Sequence, residues 1–175
     1  SAYFRKELLA ALQILNEGHI APDAMTGSWA GAMGQCQFMP TSFLNFAVDY
    51  DADGRRNIWT SRADVFASAA NYLSKSGWNG KETWGRHVRL PEGLDPAQIG
   101  LKVKKPISEW QRLGVRRADG SNLPKAEISG SIVLGEGDKG PAYLVYGNYR
   151  TILTWNRSTY FAVAVGTLAD RIASQ

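Results

Sequence analysis

A single cysteine, Cys36, stands in 175 residues, so an internal disulfide is excluded and the redox compartment stays open. No stretch reaches the roughly 18 consecutive apolar residues that a membrane-crossing helix requires. No internal repeat or low-complexity linker is visible either. Lys and Arg outnumber Asp and Glu by 20 to 16, but they are scattered, with no basic helix stripe and no basic-aromatic repeat. That spread argues against nucleic acid as a partner, and a formal charge of +4 then favours loose association with an anionic cell envelope. The two histidines, His19 and His87, lack a ligand-spaced set of acidic, Cys or His neighbours and read as surface or capping groups. What is present suffices for one ordinary core, with 44% hydrophobic and 11% aromatic residues.

The most informative stretch runs from Gly27 to Asp64. Its first half, GSWAGAMGQCQFMPTS, is apolar and glycine-rich. Gly31, Ala32 and Gly34 allow close backbone approach, and Gln37 puts an amide among apolar neighbours, as a groove wall would. Plain core packing is the other reading, and composition alone favours it. The second half, DYDADGRRNIWTSRAD, alternates Asp49, Asp51 and Asp53 and follows them with Gly54, as an EF-hand loop begins. Thr60 stands where such a loop carries its bidentate Glu, and Asp64 is placed to close the cage instead. A solvated acidic turn fits the same residues, with Ser61 and Asp64 forming a capping box for the next helix.

Periodicity predicts an α+β protein that is helical at both ends with a strand-bearing middle. Phe4, Leu8, Ala11, Leu12 and Leu15 share one helical face before Gly18. A short helix is predicted from Pro40 through Val48. Another runs from Ser61 to Ser76 with Val65, Ala69, Tyr72 and Leu73 inward, and the last from about Ser158 to Ala173 with Val165, Leu168 and Ile172 at helical spacing. Ile128–Leu134 and Ala142–Tyr146 read as strands joined through GEGDKGP. Asp95 and Pro96 start a short helix, and SEWQRLG reads as a second.

Taken in order, the glycine-rich run and the acidic loop resemble the lytic murein transglycosylase B family, a lysozyme-like group that cleaves bacterial peptidoglycan. YFRKEL near the start, ASAANYLSKSGW after the loop and TWNRSTYFAVAVGTLAD near the end match the same family, so the resemblance spans nearly the whole chain and is weakest between Gly80 and Gly147. It implies a mainly helical lysozyme-like core, residues 1–79 and 148–175, with the EF-hand-like loop at 49–64. Residues 80–147 form a small inserted antiparallel β subdomain.

Residue by residue, the resemblance implies that Gln37 contacts the sugar next to the scissile bond. Ser28 lies near the catalytic carboxylate, Phe38 and Met39 line the groove, and Tyr72 is the groove tyrosine. Trp155 and Asn156 match a pair usually written Tyr-Asn, so an indole N–H replaces a hydroxyl there. Cys36 sits where glycine is frequent. The metal set is Asp49, Asp51, Asp53, the Arg55 carbonyl and Asp64, holding a structural calcium, with no cofactor needed for catalysis.

The implied reaction uses one glutamate, where most glycosidases use two carboxylates. It protonates the oxygen between N-acetylmuramic acid and N-acetylglucosamine, then acts as base on the muramyl 6-hydroxyl, leaving a 1,6-anhydro sugar. That glutamate is expected on a helix upstream of Ser1. Glu7 and Glu17 match noncatalytic positions, so the chain is expected to be an inactive fragment of a longer enzyme. A noncatalytic calcium-stabilised peptidoglycan-binding module and a lysozyme-type hydrolase are the alternatives. Glycan strands are the expected partner of a monomer without a transmembrane segment, in the periplasm or cell envelope and in association with the outer membrane.

Overall fold

The computed structural model describes residues 1–136 and 140–175. The chain divides into two compact units, Ser1–Lys75 and Ser76–Gln175.

The first unit holds three helices, α1 Ala2–Asn16, α2 Pro40–Phe46 and α3 Arg62–Lys75. Helix α2 begins with a proline at its first position, where a missing N–H costs nothing. Its next amide, Thr41 N, donates to Glu7 of α1 at 2.9 Å, and the Thr41 hydroxyl donates to the other oxygen at 2.8 Å. That capping bond corrects the expected orientation of α1. Glu7, Ala10 and Ile14 are buried, whereas Phe4, Leu8 and Leu12 are 56%, 60% and 53% exposed. A carboxylate engaged by the neighbouring helix interrupts the buried stripe, and periodicity alone favours the wholly apolar one. In α3 the fully buried positions are Asp64 and Ser68, with Val65, Ala69, Tyr72 and Leu73 half-buried beside them.

The second unit is a five-stranded antiparallel sheet in the order β2-β4-β5-β1-β3, with β1 Gly85–Arg89, β2 Lys105–Pro106, β3 Arg116–Arg117, β4 Ser129–Leu134 and β5 Ala142–Val145. Strands β4 and β5 lie where predicted; the other three are too short or too polar to show alternation. Helix α4 is Ile107–Arg112, and Pro96–Gln98 forms a single helical turn capped by Asp95. Helix α5, Gly147–Trp155, was not signalled, because glycine opens it and Thr and Asn interrupt its pattern. Of the predicted GEGDKGP turn, Gly137, Asp138 and Lys139 lie outside the described residues.

Side chains alternate across the sheet as the pleat requires. Ile132 and Leu144 pack on one side with Trp110, Val88 and Tyr146. Val133 and Val145 pack on the other with Trp84, Tyr149 and Ile152. Helix α6, Thr159–Ala173, joins the second cluster, with Ser158 capping it as expected. Its buried residues are Ala162 and Gly166, while the predicted face is open, with Val165 39%, Leu168 59% and Ile172 63% exposed. The smallest residues face the sheet because Trp84 occupies the space: a Cβ on Gly166 would meet the indole at 2.3 Å. The Trp84 Nε1 donates to Asp170 one turn further on, at 2.9 Å. No helix among the described residues is long and apolar enough to cross a membrane.

Candidate functional site

In the first unit, residues 27–38 fold into a small meander in which Gly27 bridges Met33 and Met33 bridges Phe38. Ser28 closes the first turn twice, its N–H donating to the Ala32 carbonyl at 2.7 Å and its hydroxyl accepting from Ala32 N–H at 3.1 Å. At the second turn Gly34 has φ +61 and presses on the Ile58 carbonyl, which a Cβ would reach at 2.6 Å. Gln37 holds φ 51 without being glycine, and its side-chain amide donates to the Gly34 carbonyl at 2.9 Å. A left-handed non-glycine residue carries backbone strain, which here presents the exposed Gln37 at the turn's tip.

Phe38 is buried, 3% exposed, and its tilted ring lies 5.7 Å from that of Tyr72; Phe46 meets Tyr72 edge-on at 4.8 Å. The two phenylalanines therefore hold the tyrosine ring. Ser28 and Met39 line a cavity of about 350 Å3 together with Glu7, Leu8 and Trp29. Gln37, Phe38 and Tyr72 lie outside that lining. Trp29, 99% exposed at the turn tip, is a member that sequence reasoning passed over, although a Trp in a glycine-rich turn is a visible signal. Cys36 is buried, which pushes its thiol up to about 11 and makes it inert packing.

Trp155 and Asn156 belong to the second unit. Trp155 ends α5, half-buried, and Asn156 is its extended cap, whose side-chain oxygen accepts from Ser158 N–H at 3.0 Å. Both shape the corner between α5 and α6.

The acidic loop brings Asp49, Asp51 and Asp64 together, one carboxylate oxygen of each within 4.8 Å of the others. A shared hard cation with oxygens at about 2.3 to 2.6 Å places donors across it at about that separation. Asp64 is fully buried yet faces no cationic side chain: its oxygens accept from Tyr50 N–H at 2.8 Å and Asn57 N–H at 2.7 Å. Asp49 accepts from Asp53 N–H and Gly54 N–H, and Asp51 accepts from the Ser61 hydroxyl. These contacts curl the backbone around the carboxylates, with Ala52 and Gly54 both left-handed. The donor set fits calcium. Asp53 stands outside the converging trio, its carboxylate accepting from Arg55 N–H at 2.8 Å. Ser61 does cap α3 by accepting from Asp64 N–H at 3.3 Å.

His19, which reads from sequence as a surface or capping group, is half-buried and held by Arg56. Its Nδ1 accepts from the Arg56 backbone N–H at 3.2 Å, its Nε2 lies 3.2 Å from Glu17, and its side chain is 11% exposed. Arg56 also donates to Glu17 at 2.8 Å and lies over the Phe43 ring. Burial, then the Arg56 charge, hold His19 below the ordinary imidazole range. Glu17 falls below the usual carboxylate range through its Gln13 hydrogen bond and the Arg56 charge. His87 is exposed on β1 beside Tyr143, as expected.

A helical unit bearing a strained glycine-rich turn and an acidic loop, with a unit of helices packed on an antiparallel sheet, defines a lysozyme-like α+β protein. The chain belongs to the transglycosylase SLT domain family, which matches residues 1–170. It is 32% identical to membrane-bound lytic murein transglycosylase B of Escherichia coli K12, over 98% of this chain and 46% of that protein. SltB3 of Pseudomonas aeruginosa, solved with NAG-anhNAM-pentapeptide, superposes with a TM-score of 0.90 at 49% identity, over 95% of this chain and 45% of that one. Slt35 of Escherichia coli, solved in complex with calcium, superposes with a TM-score of 0.80 at 31% identity, over 98% of this chain and 54% of that one. The chain thus spans about half the length of these relatives.

Proposed function

We propose that this chain is the glycan-positioning part of a lytic murein transglycosylase that cleaves the bond between N-acetylmuramic acid and N-acetylglucosamine and closes a 1,6-anhydro ring. The observation that carries this reading is the relative at 49% identity solved with an anhydro-muramyl ligand. A 1,6-anhydro ring forms when the muramyl 6-hydroxyl attacks in place of water. The groove must therefore hold the sugar in one pose and keep water away, which is the work of positioning groups.

Gln37 supplies the amide at the sugar flanking the cleaved bond. Tyr72, steadied by Phe38, offers an aromatic face and a hydroxyl, and Ser28 and Met39 form the neighbouring wall. Trp155 and Asn156 contribute an aromatic face and an amide. The general acid is a glutamate outside this chain. In support, Glu7, which borders the cavity, is occupied by two hydrogen bonds from Thr41, and Glu17 is paired with Arg56. The site of action is the bacterial cell envelope, at the periplasmic peptidoglycan.

Calcium has a structural part. Asp49, Asp51 and Asp64 hold it, with Asp53 and the Arg55 carbonyl completing the shell, and the ion supplies charge neutralisation for three converging carboxylates, of which Asp64 is buried.

Product analysis tests the reading. Digestion of purified peptidoglycan by the full-length parent should release anhydro-muropeptides, identified by mass spectrometry, and residues 1–175 alone should release none. Reducing-end products from the parent would make it a hydrolase. Anhydro products from the isolated chain would place the catalytic acid within it.

A further inference from the structure

The scattered basic residues do not stay scattered. Ser1–Lys75 carries six basic and seven acidic side chains, whereas Ser76–Gln175 carries fourteen and nine, so the whole positive excess resides in the second unit. Within it, antiparallel pairing of β1 with the edge strand β3 sets Arg89 directly opposite Arg116, and Val88 opposite Arg117. Arg86, two residues before Val88, shares the face of Arg117. Four arginines thus occupy one short sheet edge, two on each face.

Like charges directly opposite in a ladder are destabilising. Ion pairing does not hold them in place: among the described residues, none of the four guanidinium groups lies within salt-bridge distance of an acidic side chain, and the one carboxylate nearby, Asp119, meets only the Arg117 charge. Neutral acceptors hold two of them instead, one on each face. Arg86 donates through Nε to the Tyr146 hydroxyl at 2.8 Å and stacks on that ring. Arg116 donates through one nitrogen to the carbonyls of Gln111 and Val115, at 2.8 and 2.9 Å. Arg89 reaches the turn at Gly120, where an added Cβ would lie 3.8 Å from its Nη1. Asp119 is the acidic group this turn contributes; its carboxylate accepts from Ser121 N–H at 2.8 Å, and the Ser121 hydrogen bonds, then the Arg117 charge, hold it below the usual carboxylate range. Each anchored guanidinium keeps N–H groups to spare in a fork that suits a carboxylate bidentately.

We propose that the β1–β3 edge, through Arg86, Arg89, Arg116 and Arg117, binds the free carboxylates of peptidoglycan stem peptides. This rests on the peptidoglycan reading above and adds to it a recognition of the peptide as well as the glycan. Spaced carboxylates along a peptide fit paired arginines on a ribbon edge, one of each pair anchored. An edge that merely repelled other strands would be served by mobile side chains without such anchoring.

The test is co-sedimentation of the full chain with two probes, intact sacculi and glycan strands stripped of stem peptides by an amidase. Arg89→Gln/Arg116→Gln and, on the other face, Arg86→Gln/Arg117→Gln should each weaken binding to intact sacculi about tenfold, as expected for loss of charge-assisted hydrogen bonds. Binding to stripped strands should be unchanged and the salt dependence on sacculi should flatten, in variants whose melting curves show them folded at the assay temperature. Arg89→Lys/Arg116→Lys, retaining charge without the fork, should fall between. Equal retention by variant and wild type on intact sacculi would overturn the proposal. So would preferential wild-type binding to anionic phospholipid vesicles, or self-association of the variants with sacculus binding intact, which would make the edge a guard against strand pairing. Failure of the wild type on stripped strands would instead strike the glycan reading itself.

Discussion

Gln37 is a residue at which the proposed function and stability can be separated. Its φ of 51 places it where an L side chain pays about 1 kcal/mol or more, a cost glycine avoids. Gln37→Gly is therefore expected to raise the melting temperature or leave it unchanged while weakening binding to glycan oligomers, measured by calorimetry on the same preparation. Equal affinity would return Gln37 to a purely structural part. His19 gives a pH dependence of defined sign. The fold holds its imidazole below the ordinary range, so the unfolded chain takes up the proton first. Its contribution is full above the ordinary pKa of about 6.5 and is lost as pH falls through the depressed value. Melting temperature in chelator should drop as pH falls below about 6.5, and less steeply in His19→Gln. At this scale the sequence was legible where the partners are close in the chain, as for the convergence of Asp49, Asp51 and Asp64. It was opaque where a role arises from a distant partner: nothing local ties Glu7 to Thr41, or His19 to Arg56.

Helices and the two long strands were readable because their apolar periods are strong, yet their faces were misjudged. In α6 the packing surface is Ala162 and Gly166, so the bulkier Val165, Leu168 and Ile172 drew the prediction to the wrong side. Gly166→Ala tests this: helix propensity favours alanine by about 1 kcal/mol, but the new methyl collides with Trp84. We expect a net loss of about 1 to 3 kcal/mol in denaturant unfolding, and a gain would show that Trp84 moves freely. In the acidic loop, the same reasoning separates two aspartates. Asp51→Asn should abolish the rise in melting temperature that calcium gives the wild type and change little in chelator. Asp64→Ala should also lower stability in chelator, by about 1 to 3 kcal/mol per unpaired buried group, because Tyr50 and Asn57 lose their acceptor. Identical melting of wild type with calcium and with chelator would reduce the loop to an acidic turn.

Across the molecule, the class of fold followed from ordered motifs, whereas the partition of charge and the five-stranded topology depended on pairings between segments far apart in sequence. Short strands such as β2 and β3 owe their existence to partners, not to their own residues. One such long-range tie, in the first unit, has a thermodynamic reading. The far end of the acidic loop supplies Ile58 and Trp59, whose carbonyls accept from Gln35 N–H at 2.8 Å and from the Gln35 amide at 2.9 Å. The Trp59 indole donates to Thr26 at 2.9 Å, on the other flank of the turn that carries Ser28. The acidic loop and the glycine-rich turn are therefore two ends of one hydrogen-bonded frame, and in the roles proposed for them any free energy that one ligand spends ordering it is already spent for the other. Such coupling is reciprocal: a saccharide in the groove should tighten the hold on calcium by the same factor that calcium tightens the hold on the saccharide. Calcium titrations with and without a bound glycan oligomer should show that shift, and Gln35→Ala should shrink it while leaving each ligand able to bind alone.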